Sequence, residues 1–136
     1  VRSHAAALLL GLGLWWTAWA VDVYLVATAP HWGQRNTIAT YYRRRQGPEE
    51  PLIAYQLNWK GENFYTGNRL AVFVAGDDAF KAHVAALRER GQRVIFVTTE
   101  QRRVSRLERA LGSAKRVERL VPREQNDRFA LVRVEL

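Results

Sequence analysis

The residues best suited to chemistry lie in one stretch, Tyr55 to Asn68, which reads YQLNWKGENFYTGN. Gln56, Asn58, Glu62, Asn63 and Asn68 supply directional donors and acceptors of the kind a polyol requires. Trp59, Phe64 and Tyr65 offer faces for a sugar ring, and Lys60 with Arg69 offers cations for a phosphate. A sugar phosphate or a lipid-linked glycan meets these demands together. Asn58, Trp59, Lys60, Glu62, Asn63, Tyr65, Asn68 and Arg69 are therefore the candidate substrate-binding residues. The same composition also fits an architectural loop, its aromatics buried against the domain or a membrane surface and its asparagines serving turns at Gly61 and Gly67. Residue chemistry alone leaves both readings open.

Something rigid must carry this stretch. Leu52 to Leu57 reads as a strand leading into it, and Leu70 to Ala75 (LAVFVA), almost wholly apolar, as a strand covered on both faces. Gly76, Asp77 and Asp78 open a helix with Phe80, Val84 and Leu87 on one stripe, ending at Gly91. Arg93 to Thr98 reads as the next strand. Thr98 or Thr99 then caps a second helix, with Gln101 placed as in a capping box and Val104, Leu107 and Leu111 as its inner stripe. Lys115 to Val121 and Phe129 to Leu136, joined around PREQNDR, predict an antiparallel hairpin with Ala130, Val132, Val134 and Leu136 facing inward. The expected fold class is α/β: βαβ units and a C-terminal β-hairpin over residues 50–136.

Before that domain the chain changes character. Ser3 to Val21 (SHAAALLLGLGLWWTAWAV) holds no formally charged side chain, and after Asp22 the apolar character resumes through Ala29. Nineteen residues at about 1.5 Å each span roughly 28 Å, close to the hydrocarbon thickness of a bilayer. Residues 1–29 are read as a transmembrane helix, with Trp15, Trp16, Trp19, Tyr24 and Trp32 toward an interface. A cleaved signal peptide and a buried soluble helix are the rival readings; the run is long and rich in large aromatics for a signal core. Asp22 falls near the end of the span, where an interfacial position suits it. Residues 30–49 form a membrane-proximal helix and linker, with Ile38, Tyr41 and Tyr42 at helical spacing, Arg43 to Arg45 at the C-terminal dipole, and Gly47 and Pro48 as the stop. A valine at position 1 hints at the tail of a longer protein.

Charge narrows the partners. Of 21 basic residues, 20 follow the span, against 12 acids, so the domain suits anionic headgroups, lipid-linked phosphates or nucleic acid. Arg102, Arg103, Arg106 and Arg109 read as a solvated helix face in a chain with 18 arginines and three lysines, and no nucleic-acid partner is expected. A dinucleotide site is disfavoured: Gly76 stands where a fingerprint needs three glycines, and Asp77 and Asp78 repel phosphate. His4, His31 and His83 are scattered, and Ser3, Ser105 and Ser113 sit in no nucleophile context, so no metal site and no triad is read; with no cysteine there is no disulfide either.

PHWGQRNTIATYY, GPEEPLIAYQLNWKGENFYTGN and NDRFALVRV together resemble the C-terminal end of bacterial family 39 glycosyltransferases, the membrane enzymes similar to protein O-mannosyltransferases and to the aminoarabinose transferases of lipid A. The resemblance runs over essentially the whole chain. It implies a multi-spanning enzyme of the inner membrane that moves a sugar from a polyprenyl-phosphate donor to an extracytoplasmic acceptor, with a small periplasmic domain after the last helix. It implies a catalytic carboxylate in an early extracytoplasmic loop, often working with a divalent metal. No position here matches that motif, and Asp22 is not given the role. The expectation is a fragment or domain that assists substrate binding beside a catalytic multi-spanning portion, with no catalytic residue and no cofactor of its own. The alternative is a membrane-anchored interaction or accessory module. Loop charge alone would favour the cytoplasm, so the periplasmic side rests on the resemblance.

Overall fold

A computed structural model describes residues 2–112 and 114–136, which form two compact units, Val1–Pro30 and His31–Leu136. In the first, helix α1 (Arg2–Trp19) runs through a π-helical stretch, Ala20–Leu25, into α2 (Val26–Trp32). The hydroxyls of Thr17 and Thr28 donate to the carbonyls of Gly13 and Tyr24 four residues back, so neither needs an outside partner. His4–Trp32 is one helix of 29 residues, long and apolar enough to cross a membrane, and none of its apolar window is buried by protein. Asp22 lies within the π-helical stretch.

The second unit begins with α3 (Arg35–Arg44), so the membrane-proximal helix expected within residues 30–49 starts only after Gly33 and Gln34, which are not helical. Ile38 and Tyr41 form its buried stripe while Tyr42 faces solvent. Beyond it come β1 (Leu52–Tyr55), α4 (Gly61–Thr66), β2 (Ala71–Phe73), α5 (Asp78–Glu89) and β3 (Val94–Glu100). A 3₁₀ turn at Gln101–Arg103, α6 (Val104–Ala110), β4 (Arg116–Val121) and β5 (Phe129–Glu135) complete the order. The five strands make one sheet in the order β2-β1-β3-β5-β4. β1 pairs parallel with β2 and β3, whereas β5 runs antiparallel to β3 and β4, so the βαβ units and the C-terminal hairpin share one mixed sheet.

Helices cover both faces of that sheet. Phe80 and Val84 of α5 and Leu107 of α6, with Leu111 beyond it, pack on Ile53, Tyr55, Ile95, Val97, Val132 and Val134. On the other face Ile38 and Tyr41 of α3 pack on Leu52, Phe96, Val121 and Leu131, with α4 beside α3. β5 is therefore buried on both sides: Phe129 and Leu131 are as enclosed as Ala130, Val132 and Val134. Three local expectations change. Residues 70–75 give only a three-residue strand, half-buried because it occupies an edge position. Thr98 and Thr99 do not cap a helix; β3 runs through them to Glu100, and the Thr99 hydroxyl donates to the Tyr55 carbonyl at 2.8 Å. The stretch after β1 holds the short helix α4, whose six residues are too few to show a period.

Candidate binding site at the carboxyl end of the sheet

The chain leaving β1 turns toward the α3–α4 face, while the chain leaving its neighbour β3 turns toward α6 on the opposite face. Divergence of this kind opens a crevice at the carboxyl ends of the two strands, the usual binding position in open α/β sheets. The stretch picked out by its chemistry starts there. It is also strained: among the described residues, the non-glycine positions with left-handed backbone are Gln56, Lys60 and Asn68, with φ of 49°, 62° and 61°. Asparagine tolerates this region; glutamine and lysine adopt it at a cost, and such strain concentrates at functional sites.

Hydrogen bonds hold the strained backbone in place. The Gln56 N–H donates to the Phe73 carbonyl at 2.6 Å, and its side-chain Nε2 donates to Asp77 Oδ1 at 3.0 Å. Tyr55 Oη donates to the same Asp77 oxygen at 2.6 Å, and Arg106 Nε lies 3.2 Å from both Asp77 oxygens. Asp77 thus ties the end of β1 to helix α6, while the Gln56 N–H ties that end to β2. Burial, the hydrogen bond to Asp77 and the Asp77 charge push the Tyr55 hydroxyl up to about 12, against an opposing influence from Arg106. The Tyr55 hydrogen bond, with Arg106, holds the Asp77 carboxyl below its ordinary value although burial pulls the other way.

The two shifts predict a stability profile with two shoulders. Tyr55 is fully enclosed and its folded value lies above the unfolded one, so its contribution, about 2–3 kcal/mol, is complete below about pH 10 and disappears as pH rises toward about 12. Asp77 has a depressed folded value. Its contribution is complete above about pH 4 and is lost as pH falls through the folded value. Urea unfolding of the detergent-solubilised chain across pH should show both shoulders in the wild type and lose the alkaline one in Tyr55→Phe. An unchanged alkaline shoulder in that variant would remove Tyr55 as its source.

Trp59 turns toward the end of β3. Its indole Nε1–H donates to Glu100 Oε1 at 3.2 Å, its ring meets Phe129 edge-on at 5.8 Å, and the Arg128 guanidinium lies 3.7 Å over its centroid. Glu100 is almost fully buried. Burial alone would raise its carboxyl, but hydrogen bonds from Arg102 and Trp59 and the charges of Arg103 and Arg102 outweigh burial and hold it below the ordinary range. Glu62, completely enclosed, accepts the Trp59 backbone N–H at 3.1 Å and so fixes the turn that presents the indole.

The eight sequence-selected residues therefore divide. Trp59 is at the crevice, with Asn58 and Lys60 exposed on either side of it in sequence, and Glu62 is the buried support. Asn63 lies on α4, half-buried, and its carbonyl accepts the Asn68 N–H at 2.9 Å. Tyr65 is exposed on α4, packed edge-on against Phe64, and Asn68 and Arg69 are exposed after it. The partners of Trp59 went unselected by sequence reasoning: Glu100, Arg128 and the arginines beyond them. Past Glu100 the surface opens into a cleft of about 460 Å³ lined by Gln101, Arg102, Arg119, Arg123, Asp127 and Arg128. Arg102, Arg106 and Arg109 are exposed and Arg103 half-buried, opposite the buried Val104, Leu107 and Leu111, as a solvated face requires; within that face Arg102 and Arg103 contact Glu100 and Arg106 meets Asp77. Among the described residues no group of three or more histidines and carboxylates is placed to hold a metal ion. No protein-family model, no curated protein and no solved structure matches the chain, and the reading of this site stands on its residues and geometry.

Proposed function

We propose that this chain is a membrane-anchored α/β domain that serves a family 39-like glycosyltransferase as its terminal helix and extracytoplasmic domain, and that the Trp59 turn helps hold a sugar-bearing ligand. The observation that carries the proposal is the strained, hydrogen-bonded turn that fixes Trp59 against the carboxyl end of β3 and the start of β5, with Asn58 and Lys60 exposed beside it. Strain of this kind at an aromatic flanked by amide and ammonium groups suits recognition of a polyol with an anionic substituent. The apolar helix would anchor the domain in the inner membrane, with the domain on the periplasmic side. Inverting transfer from a polyprenyl phosphate needs a base for the acceptor and stabilisation of the departing phosphate. The chain's lysines and arginines suit only the second task, and the base would come from the multi-spanning portion.

The test is transfer by the full-length enzyme carrying Trp59→Ala, Lys60→Ala and Asn63→Ala together. We expect turnover to fall at least about tenfold with expression and membrane insertion unchanged, the loss corresponding to about 1.4 kcal/mol or more of binding. Wild-type turnover in that variant would remove the substrate-binding role. A second reading is favoured by Phe64, 80% exposed beside Tyr65 on α4: a membrane-anchored module that docks a protein neighbour there. Under that reading Phe64→Ser abolishes partner capture while the triple variant leaves it intact.

A further inference from the structure

We infer that the arginine-lined cleft at the β3–β5 end of the sheet is a binding site for a phosphate dianion or a diphosphate. This goes beyond glycosyl transfer and does not depend on it, because it follows from how each guanidinium in the cleft is occupied. Arg102 is committed to Glu100, and Arg119 Nη2 lies 3.4 Å from Glu108 Oε1. Arg123 and Arg128 form no ion pair among the described residues. Arg128 is nonetheless held. Its guanidinium rests on Trp59 at 3.7 Å, its ring partner is itself fixed by Glu100 and Phe129, and its backbone N–H donates to Asn126 Oδ1 at 3.0 Å.

Stacking uses the face of a guanidinium and leaves its N–H groups, which lie in the plane, free to point outward. A planar fork that is oriented but has no carboxylate partner is suited to two oxygens of one phosphate. The second free cation, Arg123, is exposed on the turn that follows β4. Arg119 reaches the cleft from the strand position just before a β-bulge, where the register shifts between Arg119 and Val121 and re-aims the side chains. Against the four arginines stand two carboxylates. Glu100 is already bonded to Trp59 and Arg102, and Asp127 Oδ2 lies 3.5 Å from His31 Nδ1. The net positive charge of the lining is two, which matches a dianion.

A phosphate ester in solution and a lipid headgroup present the same oxygens, and the experiment separates them. The full chain in phosphatidylcholine nanodiscs is titrated calorimetrically with inorganic pyrophosphate, and the titration is repeated in discs containing phosphatidic acid. Saturable binding is expected, about tenfold weaker in Arg123→Gln and weaker again in Arg123→Gln/Arg128→Gln. Arg128→Lys, which keeps the charge and loses the fork, should fall between wild type and Arg128→Gln, and Arg90→Gln, which removes an exposed charge from the far end of the sheet, should change nothing. Suppression of pyrophosphate binding by phosphatidic acid in the wild type identifies the headgroup as a competing ligand; no suppression identifies a soluble ligand. Since Arg123 is exposed and forms no ion pair among the described residues, its single variant stays readable even if loss of Arg128 unfolds the turn. The inference is overturned if pyrophosphate does not bind saturably in either disc, or if Arg123→Gln and the double variant bind it as the wild type does. Either result leaves the transferase reading to its own turnover assay.

Discussion

Replacing Phe80 with alanine is expected to destabilise the α/β domain by about 3–5 kcal/mol, the range for a fully enclosed aromatic cut back to a methyl group. Phe80 is completely buried, with its ring centroid 4.7 Å from Tyr55 and 5.8 Å from Phe73. The truncation leaves a cavity bounded by those rings and by the α5–α6 packing. Because a domain of this size is stabilised by only about 5–15 kcal/mol, the urea midpoint of the detergent-solubilised chain should drop by about a fifth or more. Far-UV circular dichroism reads the transition. The effect extends to the crevice, since Tyr55 loses the surface that holds its hydroxyl against Asp77. A loss under about 1 kcal/mol would mean that α5 does not pack on this face.

Asn126→Ala should cost about 2–4 kcal/mol, although the residue is polar and lies in a turn. Its side chain is almost fully enclosed and works in both directions. Oδ1 accepts the backbone N–H groups of Arg128 and Phe129 at 3.0 and 2.7 Å, and Nδ2 donates to the Gly33 carbonyl at 2.9 Å. Truncation leaves the buried Phe129 N–H without its acceptor and unties the turn from the segment through which the chain enters the domain. Asn126→Asp keeps the acceptor and loses the donor, so it should recover part of the loss. If the alanine and aspartate variants unfold at the wild-type midpoint, the turn is held by something other than this side chain.

Periodicity made the helices legible. Phe80, Val84 and Leu87, and Val104, Leu107 and Leu111, recur at helical spacing; all but Val104 lie in or against one core cluster, and Val104 is buried too. The strands after them were legible as apolar runs, but their order was not. Nothing local in LAVFVA distinguishes an interior strand from an edge one, because coverage is decided by the crossovers that carry the chain past β1 to β3. Threonine is ambiguous for a different reason. It caps helices and favours strands alike, and at Thr98 and Thr99 the pairing with Leu131 and Ala130 decides the matter.

At the candidate site, Trp59 stands out in sequence because a large aromatic among amides and glycines is unusual. Its partners do not stand out. Glu100 reads as a surface acid until Arg102, Arg103 and an indole from 41 residues earlier surround it. Arg128 reads as one arginine of many, since a stack on Trp59 depends on two loops meeting at one end of the sheet. Gln101 sits where a capping box would place it, yet its Nε2 contacts the carbonyls of Val121, Asn126 and Phe129 and closes the base of the cleft. Such long-range polar contacts follow from topology and leave no periodic trace.

The two margins of the sheet differ in how they meet another chain. Along the β4 margin Lys115, Arg116 and Arg119 are exposed and a bulge breaks the ladder, so an incoming strand would have to strip water from three cations and find a broken register. The β2 margin has no such guard: three residues long, uncharged, and followed by Val74 at 56% exposure. Unwanted ribbon growth in a concentrated preparation would therefore begin at Ala71–Phe73, and a single lysine introduced at Val74 is the economical way to keep the chain dispersed.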